Sequence, residues 1–113
     1  MSVLEIDIDV VKGILFIHLE GVLDKKTIHQ FDREVNYLLY KQGMHYFVFD
    51  FKDIEQVDFD VISWLENKLV EIFLSCGKVV LCGLDGKYEK KIGKQDKLFY
   101  VREGIEAFKY LTV

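Results

Sequence analysis

The side chains best suited to acid–base, nucleophilic or metal chemistry in this chain are three histidines, His18, His29 and His45, and two cysteines, Cys76 and Cys82. Nucleophilic catalysis needs a base within hydrogen-bond reach of the nucleophile and a third group to orient the base. His18 lies in an apolar run, His29 on the polar side of an amphipathic segment and His45 at the start of another apolar run, and none has a Cys, Ser or Asp spaced with it so as to mark a triad. His29 and Asp32 stand one helical turn apart, but two ligands without a third more often form a surface pair than a metal site. Cys76 and Cys82 have no Cys or His neighbours at zinc spacing and read as small buried hydrophobes, with a reactive pair as the minor alternative. A phosphate loop of the Walker type needs Gly-x4-Gly-Lys-Ser/Thr. Between Gly86 and Gly93 lie six residues instead, and Gln95 follows Lys94. No Gly-x-Gly-x-x-Gly follows a strand either, so the expectation is a protein that is not an enzyme and carries no metal and no cofactor.

The composition points the same way. A chain of 113 residues has room for one domain, 1–113, with one real core. Half of the residues are hydrophobic and 30% are charged, with no proline, which is the balance of a compact soluble protein. The net charge of −4 argues against nucleic acid, since phosphate binding needs clustered Lys and Arg. The lysines between Lys87 and Lys97 are interspersed with Glu89 and Asp96 and read as a solvated face. Met1 to Asp9 alternates apolar with acidic residues and lacks the basic start of a secretory signal, and no stretch approaches the roughly 18 apolar residues of a membrane span. No direct membrane insertion and a cytoplasmic location are expected.

These residues must be positioned by an α/β framework. Leu4, Ile6 and Ile8 alternate with acidic residues, and Ile14 to Glu20 forms a second run after Lys12-Gly13, which predicts a β-hairpin. Ile28, Phe31, Val35, Leu38 and Leu39 have the spacing of an amphipathic helix over about Lys25 to Gln42, closed by Gly43. His45 to Phe51 is nearly continuous in bulky apolar residues, as a central strand covered on both faces should be. After a connection through Ile54 and Val57, Asp58 caps a second helix with Val61, Ile62, Leu65, Leu69, Ile72, Phe73 and Cys76 on its core side. Lys78 to Gly83 reads as a buried strand, Tyr88 to Ile92 as a short helix, Lys97 to Val101 as a last strand and Gly104 to Leu111 as a closing helix. The order is β-β-α-β-α-β-α-β-α, a mixed sheet with helices packed against it.

Two segments carry a family resemblance. Gly21-Val22-Leu23-Asp24, directly after the second strand, is similar to the Gly-x-Leu-Asp turn that opens the first helix of STAS domains. Phe49-Asp50-Phe51, followed by Val57-Asp58-Phe59-Asp60, resembles the apolar strand and the Ile-Asp-Ser-Ser-Gly motif at the start of the family's second helix. With Lys78 to Gly83 as the next strand and Glu106-Ala107 in the terminal helix, the resemblance covers essentially the whole chain and implies a single-domain bacterial module like the anti-sigma factor antagonists. In regulated members of that family a kinase phosphorylates the serine after the motif aspartate. Here that position is Phe59, which has no hydroxyl, and the next positions are Asp60 and Val61. Asp60 either stands in for a permanent negative charge or, with Asp58, simply favours the positive end of the helix dipole, the second being the preferred reading.

Turning the second helix at about 100° per residue places Phe59, Ser63, Val70 and Leu74 opposite its core, with Glu66 and Asn67 beside them and Trp64 towards one edge. Apolar stripes rimmed by polar groups tend to be binding surfaces, so this face suits docking or homodimerisation. The resemblance implies partner contacts at Asp24 and Lys25 in the turn and at Asp58, Phe59, Asp60, Ser63 and Asn67 on the helix. Three roles follow as expectations. The leading one is a regulator of transcription or signalling that binds an anti-sigma factor or a kinase-like switch protein. The alternative is a structural STAS subunit of a larger assembly such as a transporter, and the third is a small-ligand site at the ends of the parallel strands, supported only by fold analogy.

Overall fold

The computed structural model describes residues 3–42, 46–75, 77–84 and 99–101. β1 (Leu4–Val11) and β2 (Ile14–Leu23) form the expected hairpin, antiparallel from Leu4↔Gly21 to Val11↔Ile14. Its two loop residues, Lys12 and Gly13, have φ of 50° and 80°. Positive φ at both positions gives a two-residue turn whose twist matches that of the flanking strands.

α1 covers Ile28–Gln42. It begins three residues later than the apolar spacing suggested, because the intervening turn is organised by side chains. Asp24 Oδ1 accepts from the N–H groups of Lys26 (2.8 Å) and Thr27 (3.0 Å), and Thr27 Oγ1 accepts from Asp24 N–H (3.0 Å) while donating to Val22 O (2.8 Å). This reciprocal cap satisfies N–H groups that a helix start otherwise leaves unpaired. Asp24→Ala is expected to lower stability by about 1–2 kcal/mol, with Asp24→Asn recovering most of the loss because it keeps an acceptor oxygen. Urea denaturation of the three proteins checks both statements.

β3 (Tyr46–Val57), α2 (Phe59–Ser75), β4 (Lys78–Cys82) and β5 (Phe99–Val101) complete the described elements. The sheet order is β1-β2-β3-β4-β5, parallel from β2 onward, so β3 occupies the centre as its composition required. β2, β3 and β4 follow one another across the sheet in one direction, so crossovers of one hand place both helices on the same face. There Leu15, Ile17, Leu19, Phe47, Phe49, Phe51, Val79 and Leu81 meet Phe31 and Val35 of α1 and Leu65, Leu69 and Ile72 of α2. The opposite face buries Ile14, Val48, Val80 and Cys82. The helices expected at Tyr88 to Ile92 and Gly104 to Leu111 lie outside the described residues, as do the lysines from Lys87 to Lys97 and the residues Cys76 and His45.

Two features depart from the sequence reading. β3 continues to Val57 where a connection was expected, and β2 continues through Gly21-Val22-Leu23, so the first three residues of the Gly-x-Leu-Asp motif belong to the strand. These extensions pair with each other, Glu20↔Asp53 through Leu23↔Val57, beyond one register shift and across a second, each with the extra residue on β3. Main-chain pairing runs along both extensions, and their ends are anchored in the core by the buried side chains of Leu23 and Val57. The second departure is Lys68, which sits in the buried stripe of α2 at 8% exposure. Its ammonium reaches Asp32 (2.9 Å), Glu71 (3.4 Å) and the Asn36 side-chain oxygen, so the charge is paired as burial demands. Asp32 therefore serves Lys68, while His29 faces solvent.

Candidate functional site: the turn after β2 and the start of α2

The two motifs, far apart in sequence, are joined at the carboxyl ends of the parallel strands. Asp58 N–H donates to Leu23 O at 2.9 Å, directly beyond the Leu23↔Val57 pair. Lys25 and Asp60 face each other across the junction, Nζ to Oδ2 3.4 Å. Both side chains are largely exposed, so the pair contributes at most about 1 kcal/mol; its effect is to register the turn against the helix. The pairing gives Asp60 a counter-ion across the junction.

Asp24, by contrast, is 8% exposed. Its carboxylate shapes the turn from within, leaving Lys25 and Lys26 exposed on the outside. Asp58 occupies the N-cap position of α2, its carbonyl accepting Val61 N–H (3.0 Å), while its carboxylate accepts from the Gln56 amide (2.6 Å) instead of a helix N–H. Phe59 is the first residue of α2 and is 76% exposed. Ser63 and Asn67 follow at four-residue spacing and are exposed too, so Phe59, Ser63 and Asn67 form one row along the helix. The stripe expected to continue from Phe59 to Leu74 is interrupted. Val70 packs against the core cluster, and Trp64 stands edge-on to Phe31, ring centroids 6.0 Å apart at 76°. Leu74 remains 62% exposed, but fifteen residues from Phe59 it lies about 22 Å away along the helix.

A second polar cluster, on the sheet face opposite α1 and α2, has no counterpart in the sequence reading. His18 Nδ1 lies 3.1 Å from Asp50 Oδ2, and His18 Nε2 lies 2.9 Å from Asp53 Oδ2. The Asp50 carboxylate also accepts from Lys52 N–H at 2.9 Å. The parallel register His18↔Asp50 brings the group together; only a correct alignment of β2 with β3 would have revealed it. Cys82 is the adjacent nucleophile candidate, and its environment opposes that role. Burial, and then the Asp50 charge and hydrogen bond, push its thiol up to about 12. A reactive cysteine needs the opposite shift. In a Cys76→Ser variant, Cys82 is therefore expected to resist an alkylating reagent at pH 8 in the native state and to react promptly once the protein is unfolded. Native-state labelling followed by mass spectrometry gives the answer. Among the described residues no group of three His, Cys, Asp or Glu side chains is arranged to hold a metal ion, and no described helix is long and apolar enough to cross a membrane.

The architecture matches solved structures over nearly the whole chain. The anti-sigma factor antagonist from Mycobacterium paratuberculosis superposes with a TM-score of 0.79 at 12% identity, covering 98% of this chain and 96% of that one. The unphosphorylated form of the anti-sigma factor antagonist SpoIIAA gives 0.73 at 13% identity, covering 96% and 100%. A variant of RsbS from Moorella thermoacetica gives 0.73 at 21% identity, covering 94% and 96%. No curated protein sequence matches the chain. At these identities the likeness establishes the fold, an open mixed sheet of the SpoIIAA type. The STAS domain family model matches residues 5–106, and the chain belongs to the STAS domain family.

Proposed function

We propose that this protein is a non-catalytic docking module of the anti-sigma factor antagonist kind, holding a protein partner through Lys25 in the turn and through Phe59, Asp60, Ser63 and Asn67 at the start of α2. Asp24 and Asp58 shape that surface from behind. The observation that carries the reading is the union of the two motif segments, tied by the Asp58–Leu23 backbone bond, with a phenyl ring 76% exposed at their junction. Aromatic side chains are enriched among residues that dominate interface energies. Because Phe59 offers no hydroxyl, the docking it supports is not switched by phosphorylation at that position.

Affinity capture from the native host with wild type and Phe59→Ser tests the reading. Wild type should retain an anti-sigma factor or a kinase-like protein, and the Ser variant should acquire phosphate at position 59 and release it. Recovery of transporter or scaffold subunits by both forms, with no phosphate on either, would replace signalling by a structural role.

A further inference from the structure

β1 is the edge of the sheet among the described strands. In an antiparallel pair, alternate residues send their N–H and C=O groups towards the neighbour. Val22 N–H bonds to Val3 O, and the β1/β2 register runs without a shift from Leu4 to Val11. Odd-numbered residues of β1 therefore point their backbone groups into the sheet, while Ile6, Ile8 and Val10 point theirs outward. Leu4 O, the first outward carbonyl, is covered by Gln30 Nε2 of α1 at 3.0 Å.

The side chains of this edge differ sharply between its two faces. On the helix side Ile8 is 43% and Val10 54% exposed. On the other side Glu5, Asp7 and Asp9 are all exposed, with no ion pair to any of them among the described residues. Asp7 and Asp9 stand opposite His18 and Phe16 and, with Ile8 and Val11, line an open hollow of about 360 Å³. One turn beyond Gln30 on α1, Glu34 keeps a carboxylate oxygen buried without a hydrogen-bond partner among the described residues.

We infer that the outer edge of β1 takes up an extended basic segment of a partner protein as an added strand, with apolar residues over Ile8 and Val10 and Arg or Lys side chains over Asp7, Asp9 and Phe16. This surface is separate from the turn and α2 and does not rest on the function proposed for them. Backbone pairing to an exposed edge supplies attachment, and pockets for alternate side chains supply selectivity. The acidic row selects the occupant. Pairing β1 with a second copy of itself in antiparallel fashion would set Glu5, Asp7 and Asp9 against the same residues of the other copy, and like charges directly opposite are destabilising. An arginine stem can cover the Phe16 ring while its guanidinium meets the aspartates.

The test compares two peptides of β1's length, one alternating Arg with Val and one alternating Glu with Val, by fluorescence anisotropy and by amide exchange of the full chain. The Arg–Val peptide should saturate, weaken with salt, and slow exchange at Ile6, Ile8 and Val10, while the Glu–Val peptide should not bind. Ile8→Pro removes an outward N–H and no bond to β2, and should weaken the Arg–Val peptide by about tenfold or more, since proline is tolerated on a strand edge but cannot donate. The double variant Asp7→Lys, Asp9→Lys should reverse the preference, and it decides the matter alone if Ile8→Pro does not fold. Equal binding of both peptides, no binding of the Arg–Val peptide, protection located elsewhere, undiminished binding by a folded Ile8→Pro protein, or a dimer of the chain that Ile8→Pro abolishes would each overturn the inference.

Discussion

Gly21→Ala is expected to lower the stability of this protein by about 3–5 kcal/mol, combining left-handed backbone strain with the loss of neighbouring hydrogen bonds. Gly21 has φ of +112°, and a Cβ built there would lie 2.1 Å from Val3 O, well inside contact distance. The clash is with backbone, so no side-chain rotation relieves it. Either β1 leaves the sheet at its first residues, breaking the Val22–Val3 and Gln30–Leu4 bonds, or the shift of register that directs Val22 and Leu23 towards the turn is lost. For a domain near this size each kcal/mol is worth about 4 °C or more in Tm, so thermal unfolding should begin at least 10 °C lower, by about that scale. A Gly21→Ala protein within 2 °C or so of wild type, on the same scale, would mean that the strand end is not built as described.

Phe59→Asp should leave stability within about 0.5 kcal/mol of wild type, as surface substitutions generally do, because the ring is mostly exposed and an acidic residue suits the first turn of a helix. Partner affinity should nevertheless fall by 30-fold or more, the equivalent of about 2 kcal/mol expected of a residue that dominates an interface. Leu74→Asp, on the same helix but about 22 Å away, serves as the control and should change affinity little. Isothermal titration with the captured partner measures both. Equal losses from the two variants would instead assign docking to the whole length of α2.

The contrast between these two glycine and phenylalanine positions shows what the sequence discloses. The Gly-x-Leu-Asp and Val-Asp-Phe-Asp segments could be located by their letters, and the hairpin, both amphipathic helices and the central β3 could be read from apolar periodicity, because side-chain burial sets those patterns. What depends on backbone pairing or on another element stayed hidden. The extensions of β2 and β3 to Leu23 and Val57 could not be read locally, because Gly21 and the polar residues Lys52, Asp53, Glu55 and Gln56 interrupt the apolar pattern and the pairing is between two distant strands. Nothing near Lys68 in the sequence accounts for its burial, because its counter-ion Asp32 is on α1. Val70 looked like part of an open stripe for a similar reason, since the core covers it, and Trp64, read towards one edge, packs on Phe31 of α1. The His18, Asp50 and Asp53 group depends on one strand register, which no local pattern specifies. The residues proposed to face a partner could be located by position; that Asp24 would be turned inward, with its oxygen capping the turn before α1, could not.

The most direct test of the docking claim is the amide-exchange footprint of the captured partner on the full chain. Docking through the turn and α2 should slow exchange at residues 21–27 and 58–67, the turn and the first turns of α2. A specific complex that leaves both of those segments exchanging as in the free protein would contradict it.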